Sequence, residues 1–91
     1  MKKEIDPISK IHIYIYRNLI SVSLGKNYIN TDEMLYAMRK SLFHNTPTSL
    51  YREMMKEMEE RGFVKIINNR SYYLIKTKKN LNKLKKIKEY I

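Results

Sequence analysis

Ser49, Arg52 and Lys56 are spaced at i, i+3 and i+7, so a helix through them carries a hydroxyl, a guanidinium and an ammonium on one side, opposite Leu50, Met54 and Met58. The planar fork of Arg52 can grip two neighbouring acceptors at once, such as O6 and N7 of guanine. Thr48 and Ser49 stand near the start of that helix, where hydroxyls and unpaired backbone amides bind phosphate. The plain alternative is that both only cap the helix and that Arg52 only pairs with acids on a solvated face. Glu53 borders the same side and repels phosphate unless it accepts from a cytosine amino group or pairs with Arg52. Further along, Asn69 and Arg70 sit at a polar tip between two apolar runs, where arginine suits a narrow minor groove or simply an ordinary polar turn.

Catalysis finds no comparable support. His12 and His44 are each without a cysteine or a second histidine at ligand spacing, so no metal site is expected. The chain has no cysteine, and its two glycines cannot build a phosphate loop, so no cofactor is expected either. Asp32 and Glu33 read as dipole compensation in the first turn of a helix. Eight tyrosines raise the thought of base stacking, but most share faces with isoleucine or leucine, and core packing is expected for most of them. No apolar run approaches the roughly 20 residues of a membrane span, and Met1 to Pro7 lack a signal-peptide core. A cytoplasmic place is expected, on the nucleoid or in an infected host cell, with no membrane partner and no readable pocket for a small-molecule effector.

The formal net charge of +10 has a bland source to set against a nucleic-acid footprint. Lysine, asparagine, isoleucine and tyrosine make up 42 of the 91 residues, the signature of an AT-rich genome whatever the function. Abundant Lys and Ile with no Gln or Cys also hint at a thermophilic source. Distribution therefore says more than the total: residues 76 to 91 hold seven lysines and one acid.

The elements that must position these side chains are punctuated by two prolines and two glycines. Asp6-Pro7 opens helix 1, expected over about 7–24 and closed by Gly25. Alternation of Ile11, Ile13 and Ile15 with polar or aromatic residues also fits a strand, but the length and the proline start favour helix. Tyr28-Ile29 is a short extended piece. Asn30 and Glu33 form a capping-box pair at the head of helix 2, about 31–42, whose inward stripe is Leu35, Met38 and Leu42. Ala37, the chain's one alanine, would let the next helix approach closely. Phe43-His44-Asn45 is the turn. Thr46-Pro47 opens helix 3, about 47–61, with Leu50, Met54 and Met58 inward, Tyr51 and Met55 beside them, and Gly62 as its stop. A hairpin over about 63–76 follows, its register unreadable because doubled apolar pairs on both strands permit either inward face. Helix 4, about 79–91, is amphipathic and basic.

The run Glu59-Glu60-Arg61-Gly62-Phe63-Val64, preceded by Met58 and followed by a hairpin, resembles the recognition-helix exit of winged helix-turn-helix regulators of the MarR and PadR type, small archaeal or archaeal-virus regulators among them. The resemblance covers residues 28 to 75, and the turn between helices 2 and 3 departs from it by lacking glycine. It implies a single mainly α domain over 1–91 with a small β-hairpin and an added C-terminal helix. It also implies that Thr48, Ser49, Arg52 and Lys56 face the major groove of double-stranded DNA, with Asn69 and Arg70 at the minor groove or backbone.

Helix 1 has two apolar faces, Ile11, Ile15, Leu19 and Val22 on one and Ile13, Tyr16, Ile20 and Leu24 on the other. A small monomer is not expected to cover both, which predicts a homodimer through Ile11, Ile15 and Leu19 of helix 1 and Leu81, Leu84, Ile87 and Ile91 of helix 4. The expectation is a non-enzymatic, dimeric, sequence-specific DNA-binding transcription regulator. The alternatives are a winged helix used for protein docking and a sequence-indifferent nucleoid protein.

Overall fold

The computed structural model describes residues 7–41 and 46–88. Among them are four helices and three short strands: α1 (Pro7–Ser23), β1 (Tyr28–Asn30), α2 (Thr31–Ser41), α3 (Thr48–Glu60), β2 (Val64–Asn68), β3 (Ser71–Leu74) and α4 (Lys78–Lys88). The chain is mainly helical with a small antiparallel sheet. No helix of the described residues is long and apolar enough to cross a membrane.

Local chemistry sets most of the boundaries. Helix α1 starts at Pro7 and ends where Leu24 and Gly25 take φ of +52° and +86°. The expected cap Asp6 lies outside the described residues. At α2 the capping box is present in both directions: Asn30 Oδ1 accepts from the Glu33 amide at 2.8 Å, and Glu33 Oε1 accepts from the Asn30 amide at 2.9 Å. Helix α3 begins differently from the expectation. Pro47, extended at φ −63° and ψ 148°, occupies the cap position, and no side chain caps the helix. Thr46 is therefore not the cap, and the first amides of α3 keep no side-chain acceptor. At the other end Phe63 N–H reaches Met58 O and Gly62 N–H reaches Glu59 O, each at 3.0 Å, closing the helix through Gly62 at φ +83°.

Tyr28–Asn30, expected only as an extended piece, is a true third strand. It pairs antiparallel with β3, giving the order β1-β3-β2 with β3 in the centre. The hairpin register is Val64 opposite Leu74, Lys65 opposite Tyr73 and Ile66 opposite Tyr72, after which Ile67 is bulged and Asn68 faces Ser71. Val64, Ile66, Tyr72, Leu74 and Ile29 thus point to the helices, and Tyr28, Lys65 and Tyr73 point away.

The core corrects the expected helix faces. On α1 the fully buried line is His12, Ile15, Tyr16, Leu19 and Ser23, spaced i, i+3, i+4, i+7 and i+11, and it runs between the two faces expected from the sequence. Ile11 is 45% exposed and Leu24 84% exposed, while Ile13, Ile20 and Val22 pack at the core margin. On α2 the buried residues are Met34, Ala37 and Met38; Leu35 is half-buried, and Leu42 with the turn Phe43-His44-Asn45 lies outside the described residues. On α3 they are Tyr51, Met55 and Met58, with Met54 half-buried and Leu50 50% exposed. The helix is rolled so that the bulkier Tyr51, rather than its neighbour Leu50, fills the interior. Of the seven tyrosines described, only Tyr16, Tyr51 and Tyr72 are buried, so the expectation of core packing for most is not met.

Two polar side chains fasten α4 to this core. Tyr16 donates its hydroxyl to Ile75 O at 2.7 Å, and burial pushes its pKa from 10.0 to about 12, with the Asn80 side chain acting in the opposite sense. Asn80, itself buried, donates to Ile75 O at 2.8 Å and to Gly62 O at 2.9 Å, while its amide bonds the cap Thr77 at 3.1 Å.

Candidate nucleic-acid interface

Rolling α3 onto Tyr51, Met55 and Met58 leaves Thr48, Ser49, Arg52 and Lys56 exposed. The side carrying Ser49, Arg52 and Lys56 is covered by no other described element. Arg52 is the hinge of the arrangement. It lines a cleft shared with Asn69 and Arg70 of the hairpin tip and with Asn30, Thr31 and Asp32 at the head of α2. A second depression continues along α3 through Lys56 to Asn68 and Tyr72. Arg52, Lys56, Asn69 and Arg70 therefore line a groove of two adjoining depressions that share Arg52 and Asn69, whereas Thr48 and Ser49 are exposed at the start of α3 and line neither.

Three bonds fix the walls of that groove. Asn68 Oδ1 accepts from the Arg70 amide at 2.7 Å, folding the tip into an Asx turn. Thr31 donates its hydroxyl to Asn69 O at 3.0 Å, which ties the tip to the start of α2. Glu59 Oε2 accepts from the Ile66 amide at 2.9 Å and so holds β2 against α3. Asn30, Thr31, Asp32 and Asn68 were missed as groove residues by sequence reasoning. The capping box places the start of α2, but only the pairing of β1 with β3 brings that start to the tip.

The electrostatics are mixed within the groove and uniform beyond it. Among the described residues Arg52, Lys56 and Arg70 form no ion pair. Asp32 nevertheless lines the cleft, and Glu53 is exposed beside Arg52. Glu57 is engaged elsewhere, bonded at 2.8 Å to Nε2 of the buried His12 on α1. That bond gives His12 a structural role linking α1 to α3; His44 lies outside the described residues. Residues 61 to 88, by contrast, carry ten basic side chains and no carboxylate.

The expected dimer contacts need correction. Ile15 and Leu19 are wholly buried within the chain, because the inward line of α1 passes through them, and no second copy can touch them. Leu84 packs half-buried against the core, whereas Ile11 and Leu81 are exposed at 45% and 39%. The side chain of Ile87 and all of Ile91 lie outside the described residues. Comparison with protein-family models, with curated proteins and with solved structures finds no match.

Proposed function

We propose that this chain is a winged helix-turn-helix that binds double-stranded DNA sequence-specifically as a transcription regulator. The element order helix, strand, helix, helix, hairpin, with β3 between β1 and β2, supports the fold assignment. The observation that carries the function is the uncovered Ser49, Arg52 and Lys56 side of α3, from which Arg52 lines a cleft with Asn69 and Arg70 of the hairpin tip. In this reading α3 lies in the major groove, Arg52 reads a guanine edge, the amides and hydroxyls of Thr48 and Ser49 hold phosphate, and the tip reaches the minor groove or backbone. We propose a homodimer as well, with Ile11 and Leu81 as its exposed apolar contacts.

Selection of bound sequences from a random duplex pool tests this directly. The expected outcome is an enriched inverted repeat whose half-sites lie roughly 34 Å apart, one helical turn, or a multiple of it. A second reading, a winged helix that docks a protein, is favoured by Asp32 in the cleft and Glu53 beside it. Titration against random duplex at low salt separates the two. A cationic DNA binder has non-specific affinity of about 10⁻⁴ to 10⁻⁶ M even at physiological salt and binds more tightly at low salt, so no binding at micromolar protein there would leave docking as the better account.

A further inference from the structure

The face of the sheet turned away from the helices takes no part in the groove described above. Across it Tyr28, Tyr73 and Lys65 stand in one cross-strand row, in register on β1, β3 and β2. Tyr28 is 55% exposed, Tyr73 is half-buried and Lys65 is exposed. The two rings hold each other in an edge-on arrangement, centroids 5.1 Å apart at 61°, so neither has to be ordered when a third ring arrives. Ile67, bulged outward at 47% exposure, extends the apolar surface.

Charge decides which occupant fits. None of the three strands contains an acidic residue. Lys65 forms no ion pair among the described residues, and Lys76, just past β3, donates its Nζ to Lys26 O, just before β1, at 2.8 Å. Two rings held against each other beside Lys65, on strands with no carboxylate of their own and with Glu59 at the β2 edge engaged on the Ile66 amide, suit a ligand of flat rings strung on a negative backbone. Stacked bases inside a duplex do not offer their faces, but unpaired bases do. We infer that the outer face of the sheet is a stacking platform for single-stranded nucleic acid, with Tyr28 and Tyr73 against bases and Lys65 on the phosphate backbone. This surface is separate from the groove at Arg52 and does not depend on it.

Fluorescence anisotropy with a labelled oligodeoxythymidylate of about 15 nucleotides tests the inference. The whole chain should bind it, and a strand of equal phosphate number lacking its bases should bind roughly tenfold more weakly or worse. Tyr28→Ala and Tyr73→Leu should each reduce affinity about fivefold or more, while Tyr28→Phe, which keeps the ring, should not. Arg52→Ala should leave single-strand affinity unchanged, so failure of the duplex reading and failure of this one are told apart. Circular dichroism checks that each variant is folded. The inference is overturned if the oligomer does not bind, if the strand without bases binds equally well, or if a folded Tyr28→Ala/Tyr73→Leu variant keeps full affinity. It is equally overturned if Tyr28→Ala abolishes a homodimer without affecting the strand.

Discussion

Helix α3 and the stretch that follows it differ sharply in how they carry charge. Within α3, Arg52 and Lys56 stand among Glu53, Glu57, Glu59 and Glu60, so the helix is acidic by count. Two of those carboxylates are turned to internal use, Glu57 on His12 and Glu59 on the Ile66 amide. Every charged side chain between residues 61 and 88 is basic. In the proposed complex the two regions do different work. The hairpin and α4 supply a field that draws in any polyanion, while a helix with little net attraction of its own contributes mainly through the placement of Arg52. Codon bias can enrich lysine everywhere, but it does not explain why every carboxylate is missing from this part of the fold.

The joint between the regions is where the largest effect is expected. Asn80→Ala removes the side-chain donor to Gly62 O, just beyond α3, and one of two side-chain donors to Ile75 O. Each hydrogen bond lost costs about 0.5 to 1.5 kcal/mol, so the two together cost about 1 to 3 kcal/mol. The urea midpoint should fall accordingly. An unchanged midpoint would mean that α4 is held by something other than this joint.

Tyr16 gives the same joint a pH dependence. Its pKa is raised from 10.0 in the unfolded chain to about 12 by burial, so both states are protonated below pH 10 and stability there is complete. Above that the unfolded chain loses its proton first, and stability declines until the folded pKa is passed, by about 2 to 3 kcal/mol in all. Tyr16→Phe should cost about 1 kcal/mol at neutral pH and should remove this part of the decline, as measured by urea midpoints between neutral pH and about pH 11. The other tyrosines and the lysines ionise in both proteins, so the difference isolates Tyr16. Parallel declines would assign the alkaline loss to them.

What could be read in the sequence was whatever depends on near neighbours. The capping box of Asn30 and Glu33, the proline start of α1, the glycine stop at Gly62 and the existence of a hairpin all rest on interactions within a few residues. The phase of each helix was less legible, because a chain this rich in isoleucine, tyrosine and methionine offers several apolar stripes one residue apart. Leu50 and Tyr51 differ by about 100° around α3, and hydropathy does not choose between them. The hairpin register was hidden for a similar reason: apolar pairs on both strands tolerate a slip until the bulge at Ile67 and the pairing with β1 fix it. For the candidate site, the exposed side of α3 followed from helical spacing alone. The groove did not, since it needs Asn30 and Thr31 brought beside Asn69 by strand pairing far along the chain.

The division of labour is sharpened by a paired measurement on DNA. Arg52→Ala should weaken binding to a selected sequence by about 1 to 3 kcal/mol and leave binding to random duplex nearly unchanged, since removing a hydrogen bond to a base edge affects only the sequences that offer that base. Equal weakening on both would place Arg52 on phosphate instead. Lys78→Ala with Lys79→Ala should behave in the opposite way. Both residues are exposed in the first turn of α4, where cations oppose the helix dipole, so removing them costs no stability. Each phosphate that is no longer neutralised should flatten the slope of log K against log salt by about 0.9, on selected and random sequences alike. If the slope stays fixed while selectivity falls, the basic part of the fold is reading sequence, and the contrast between the two regions is not the one their charges suggest.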